Sequence, residues 1–107
     1  MGRFLFQGTY SNDGIKGVLK EGGTGRRTAV EAAIKALGGK LEAFYYGFGD
    51  TDVYLMVDGI DNKTAAAFSL GVAATGALHS VKTTVLLTPE EVDQAAKTTL
   101  AYRAPGR

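Results

Sequence analysis

The sequence predicts one α+β domain of ferredoxin-like βαββαβ order, with a four-stranded antiparallel sheet, helices on one face and a short C-terminal helix. Three observations predict it. Runs rich in aromatic and β-branched residues alternate with stretches of helical period. The second and third strand-like runs are separated by a turn short enough to force a hairpin. A length of 107 residues suits one core and leaves little room for a second, so residues 1–107 form a single domain with a loose tail over about 101–107.

Phe4-Leu5-Phe6-Gln7-Gly8-Thr9-Tyr10 reads as the first strand. Ser11-Asn12-Asp13-Gly14 supplies turn chemistry and an N-cap at Ser11, after which Ile15, Val18 and Leu19 mark one face of a short helix. Gly22-Gly23 breaks or bends that helix, since paired glycines carry a large entropic penalty. A longer helix is expected from about Thr24 to Leu37, with Val30, Ala33, Ile34 and Leu37 on one stripe. Its start is open between Thr24 and Thr28, because Thr28 and Glu31 have capping-box spacing. Gly38-Gly39 is its stop.

Lys40 to Phe48 is the second strand, Gly49-Asp50-Thr51-Asp52 the turn, and Val53 to Val57 the third strand, closed by Asp58-Gly59. Asp61 or Asn62 caps an alanine-rich helix near Lys63 to Ala77. The fourth strand is His79 to Leu87. Thr88-Pro89-Glu90-Glu91 then offers an N-cap hydroxyl, a proline at the first helical position and a glutamate at the third, starting a helix that runs to about Leu100.

Composition narrows the function. A hydrophobic fraction of 45% with 21% charged residues is that of a folded globular chain rather than a disordered one. A net charge of +1 provides no field to draw nucleic acid or an anionic membrane, and no RNP-type motif is present, so neither partner is expected. Absence of cysteine rules out disulfides, thiolate metal sites and a cysteine nucleophile, and suits a reducing compartment. The N-terminal residues lack the apolar run of a signal peptide, and the longest apolar stretch, Ala65 to Leu78, is better read as a buried helix than a span. The expected location is the cytoplasm.

Phe4, Phe6, Tyr10, Phe44, Tyr45, Tyr46, Phe48 and Tyr54 all lie in or beside the first three strands. Alternation groups Phe4, Phe6 and Tyr10 on one face, opposite Leu5, Gln7 and Thr9. It also groups Phe44, Tyr46 and Phe48 against Leu41, Ala43 and Tyr45, while Val53, Leu55 and Val57 suit packing beneath helices. Neither face is plainly polar. Helices on one side would therefore leave an apolar sheet in water, which points to a homodimer or higher oligomer through the open face and to a cavity for a small molecule. Tyr10, Tyr46, Tyr54, His79 and Lys82 are the candidate ligand-binding residues, beside the plainer reading that each aromatic is core or interface.

Arg26 and Arg27 behind Gly22-Gly23-Thr24-Gly25 are a candidate anion site, although a kink bearing two exposed arginines explains the same residues. His79, the one histidine, could titrate near neutrality but is equally ordinary at a strand end. Lys82 could be a base or anion partner if desolvated; an edge or snorkelling lysine is the simpler case. Asp50, Asp52 and Asp58 match no calcium loop, and turn duties account for them. No metal and no cofactor is expected.

Laid end to end, these segments resemble the GYD-domain family of small bacterial proteins. The likeness is carried by Phe4 to Tyr10, Gly14 to Gly23, Arg26-Arg27, Gly38 to Tyr45, Gly49 to Tyr54 and Lys82 to Glu91. It departs at the family's glycine–tyrosine–aspartate signature, where Thr51 precedes Asp52. The resemblance implies a small α+β domain akin to dimeric α/β-barrel proteins and transfers no catalytic residue. Two functions follow as expectations. One is a homo-oligomer that binds a small aromatic or carbonyl compound, with cofactor-independent isomerase or monooxygenase chemistry by analogy of fold. The other is a structural or regulatory interaction module without activity.

Overall fold

The computed structural model describes residues 2–107. Its elements run β1 (Gly2–Tyr10), α1 (Asn12–Glu21), α2 (Gly23–Ala36), β2 (Lys40–Tyr46), β3 (Val53–Ile60), α3 (Asn62–Ala74), β4 (Leu78–Leu86) and α4 (Pro89–Ala96). The four strands form one antiparallel sheet in the order β2-β3-β1-β4, the ferredoxin-like arrangement. No helix among the described residues is long and apolar enough to cross a membrane.

Local chemistry sets most boundaries. Ser11 caps α1 by accepting the Gly14 N–H at 3.1 Å, and its own hydroxyl donates to the Gly76 carbonyl at 2.7 Å, so one serine ties α1 to the turn after α3. Gly22, at φ 82°, ends α1 and begins α2; a side chain there would strain the backbone. Helix α2 therefore starts at Gly23, and the Thr28–Glu31 capping box is not used: the Thr28 hydroxyl donates to the Thr24 carbonyl one turn back. Asp61 caps α3. The box at Thr88 and Glu91 forms in full. Helices α3 and α4 end earlier than expected, at Ala74 and Ala96, while β3 runs on to Ile60, whose side chain is buried in the core.

The register decides which side chains meet the helices. Three cross-strand rows point toward them: Tyr46–Val53–Gly8–Val81, Phe44–Leu55–Phe6–Thr83 and Leu41–Val57–Phe4–Val85. With Ile34, Ile60, Ala65 and Phe68 these rows build the core. Phe6 meets Phe68 edge-on at 4.9 Å between ring centres, which locks α3 over the middle of the sheet. The opposite face carries Tyr45–Tyr54–Gln7–Lys82, Ala43–Met56–Leu5–Thr84 and Lys40–Asp58–Arg3–Leu86.

Two expectations about faces are corrected by this register. A bulge at Glu42 slips β2 by one residue, so Leu41 joins Phe44 and Tyr46 on the helix side instead of sharing a face with Ala43 and Tyr45. More importantly, most of the rings are sheltered by the chain's own helices. Phe4 and Phe6 are buried, and Tyr10, Phe44 and Tyr46 pack against the core. Tyr45 and Tyr54 are the strand aromatics left on the open face. Strand β2 also stops at Tyr46, short of Phe48, which turns out of the sheet at φ 33° and stacks on Tyr46 at 5.6 Å.

Candidate functional site

Gly8, near the end of β1, has no side chain on the face toward α2 and α3. Over it lies a partly open, mainly apolar cavity of about 140 Å³. Its floor is Phe6, Gly8, Val53, Leu55 and Val81; Val30 of α2 and Phe68 and Val72 of α3 form its walls; Thr75, Ala77 and Leu78 close one end. Gln7, Tyr10, Arg26 and Phe44 complete the lining. A glycine inside a strand is a common mark of close approach by a ligand or another chain segment. Here the close segment is the chain itself: a Cβ built on Gly8 would stand 3.2 Å from side-chain atoms of both Leu78 and Val53, so the glycine lets these two cavity-lining residues close over the strand.

The polar part of the cavity is small and defined. Tyr10 sits at the end of β1, where the sheet meets α1 and α2. Burial, with the Tyr46 phenol beside it, pushes the Tyr10 pKa up to about 12 against the opposing pull of the Arg26 guanidinium. At neutral pH this phenol is a neutral hydrogen-bond donor. Tyr46 is fixed from both sides: its hydroxyl donates to the Gly23 carbonyl at 3.1 Å, and its ring lies between Phe44 and Phe48. Arg26 is half-buried in the first turns of α2 and reaches back across the Gly22 bend to Glu21, 3.2 Å away. Both partners of that ion pair keep water contact, so it holds Arg26 only weakly.

Asp52 anchors the rim. Its carboxylate accepts the Tyr10 N–H at 3.0 Å, its N–H donates to the Gly8 carbonyl at 2.9 Å, and its carbonyl accepts the Gly47 N–H. The Thr9 hydroxyl donates to the Asp50 carbonyl at 2.8 Å. The β2–β3 loop is thereby stitched to the end of β1, and Tyr10 is held where it borders the cavity. Thr51, in the position of the family signature's tyrosine, takes no part in these bonds.

The candidates from the sequence thus divide. Tyr10 and Arg26 line the cavity together, and Tyr46, just outside the lining, stands beside Tyr10. Tyr54 and Lys82 lie in one row on the opposite face of the sheet. His79 is the extra residue of a bulge at the start of edge strand β4 and is exposed, as is Arg27 on α2. Sequence reasoning missed the wall residues Val30, Phe68 and Val72, which converge from two helices, and it missed Gly8. The glycine was the one available signal, since it interrupts an otherwise bulky strand.

Among the described residues no three His, Cys, Asp or Glu side chains gather closely enough to hold a metal ion. The GYD domain family model matches residues 4–96, from Phe4 in β1 to the end of α4, and so takes in the whole cavity lining. Neither the curated proteins nor the solved structures contain a match to the chain.

Proposed function

The chain belongs to the GYD-domain family, and on that footing we propose that it is a binding protein for a small aromatic or carbonyl compound, in particular a single-ring carboxylic acid. One observation carries this: an apolar cavity of benzene-like dimensions has one cation and one neutral phenol at the same end. A void of roughly 150 Å³ accepts one benzene-sized guest, close to the size here. A carboxylate on such a guest can pair with Arg26 through two parallel N–H···O bonds and displace Glu21, whose exposed ion pair is worth only about 0–1 kcal/mol. Tyr10 donates a further bond.

The same lining favours binding over base-catalysed turnover. Its titratable side chains are Tyr10, held protonated, and Arg26. Neither takes a proton from a substrate at neutral pH. The homo-oligomer belongs to the same proposal. Copies pair through the open sheet face, where Leu5, Ala43, Tyr45, Tyr54 and Met56 form an apolar centre flanked by Arg3, Asp58, Lys40 and Lys82.

Calorimetric titration with benzoate, toluene and benzylamine tests the binding reading. Benzoate should bind best, toluene weakly and benzylamine least. The Arg26→Gln protein should lose at least tenfold affinity for benzoate while keeping its affinity for toluene. Equal affinity for benzoate and toluene in the native chain would overturn the carboxylic-acid preference, and no binding of either would leave the interaction-module reading in its place.

A further inference from the structure

The C-terminal segment is built as an arm. The radius of gyration is 16.8 Å, well above the roughly 13 Å of a compact chain of this length, and the molecule measures 56 Å along its longest axis. Helix α4 has no buried residue, yet Leu87, Val92, Leu100 and Tyr102 put four large apolar side chains in water along it and its continuation. An eight-residue helix is too short to persist unsupported, since isolated helices below about 12–15 residues are marginal. The Thr88–Glu91 capping box, with Pro89 at the first helical position, nevertheless sets the start and direction of α4. The sequence therefore specifies this helix and its heading, yet among the described residues none of α4 is buried against its own chain.

We propose that this arm packs on a second copy of the chain, closing the seam formed when two open sheet faces meet; the inference rests on that pairing. The arm leaves from the rim of the face, because Leu86 is the open-face partner of Arg3 in the last row of edge strand β4. A copy seated on the face is then the surface nearest to it. Area argues the same way. A standard interface removes about 800 Å² of accessible surface from each partner, and the footprint of four strands about 4.8 Å apart and some seven residues long, at about 3.3 Å each, is only roughly 400 Å². An arm with four large exposed apolar side chains at the rim of so small a face adds to the surface a second copy can cover. The shallow groove between α3 and β4, lined by Ala66, Leu70 and Val85, is on the other side of the sheet and is not needed for this seam.

Sedimentation of the full chain across a wide concentration range, with hydrogen exchange of the α4 amides at each concentration, tests the arm. The expected result is a dimer whose dissociation midpoint coincides with the loss of α4 protection. In the full-length Val92→Asp/Leu100→Asp protein the dissociation constant should rise at least tenfold, with benzoate affinity of the folded monomer unchanged. A dimer in which α4 exchanges freely, or whose dissociation constant ignores the double substitution, overturns the arm and leaves the face pairing intact. Protection of α4 that is independent of concentration places the arm on its own body and overturns the proposal as well. A monomer at every concentration overturns arm and pairing together.

Discussion

Replacing Val72 by phenylalanine separates a real chamber from a packing irregularity. Val72, half-buried on α3, lines the cavity. An enclosed void of about 140 Å³ would forgo about 3 kcal/mol of packing at roughly 24 cal/mol per Å³, and this one, partly open to water, forgoes less. A ring in place of two methyls fills about a third of that space, so Val72→Phe should stabilise the domain by up to about 1 kcal/mol. For a chain of this size that raises Tm by at most about 4–8 °C. The same ring occupies the space a guest would use. Thermal unfolding with and without saturating benzoate is the assay: the native protein should gain Tm with ligand, and the variant should start higher and gain nothing. A variant that unfolds earlier than the native protein yet keeps the full benzoate shift would show that the wall was already packed and that the ligand, if any, sits elsewhere.

Other expectations follow from single contacts. A methyl group built on Gly14 would collide with the Ala77 carbonyl oxygen, a backbone atom that cannot swing aside, so Gly14→Ala should destabilise by about 2–3 kcal/mol in chemical denaturation. Gly17, in the same helix with open space around it, should tolerate alanine or gain from it. Tyr10 has its folded-state pKa raised above the unfolded one, so its contribution is whole below pH 10 and is lost as pH rises toward 12. Stability should fall across that window, and the fall should shrink in Tyr10→Phe; an identical alkaline profile would show that Tyr10 is not the group responsible. Asp52→Asn keeps the shape of the loop but weakens the acceptor of the Tyr10 N–H, and should cost about 1 kcal/mol and loosen benzoate binding by severalfold.

Much of the architecture was legible because local signals agreed with one another. The capping box at Thr88, the serine cap at Ser11 and the paired glycines at 22–23 and 38–39 each mark a boundary through backbone chemistry that operates within a few residues. The short turn around Asp50 forces the hairpin. What stayed hidden depends on contacts distant in sequence. Alternation shows that Phe4, Phe6 and Tyr10 share a face but not which face the helices cover, and two apolar faces look alike until α3 sets Phe68 against Phe6. The bulge at Glu42 leaves no composition signal, so the face of Leu41 was misplaced.

The site was legible in pieces. Tyr10, Tyr46 and Arg26 were all visible as candidates, whereas their meeting point was not, since it joins β1, β2 and α2. Arg26 and Arg27, adjacent in the chain, are turned about 100° apart by the helix, which is why one borders the cavity and the other faces water. Tyr54 and Lys82 looked equivalent to them from strand position alone and ended on the opposite surface.

Methyl NMR of the full chain titrated with benzoate shows whether the ligand enters the chamber between the sheet and helices α2 and α3. The methyl signals of Val30, Val53, Val72, Leu78 and Val81 should shift together and saturate with one midpoint, while those of Leu5 and Met56 on the open face stay in place. Shifts confined to Leu5 and Met56, with the chamber methyls unmoved, would contradict binding in the chamber.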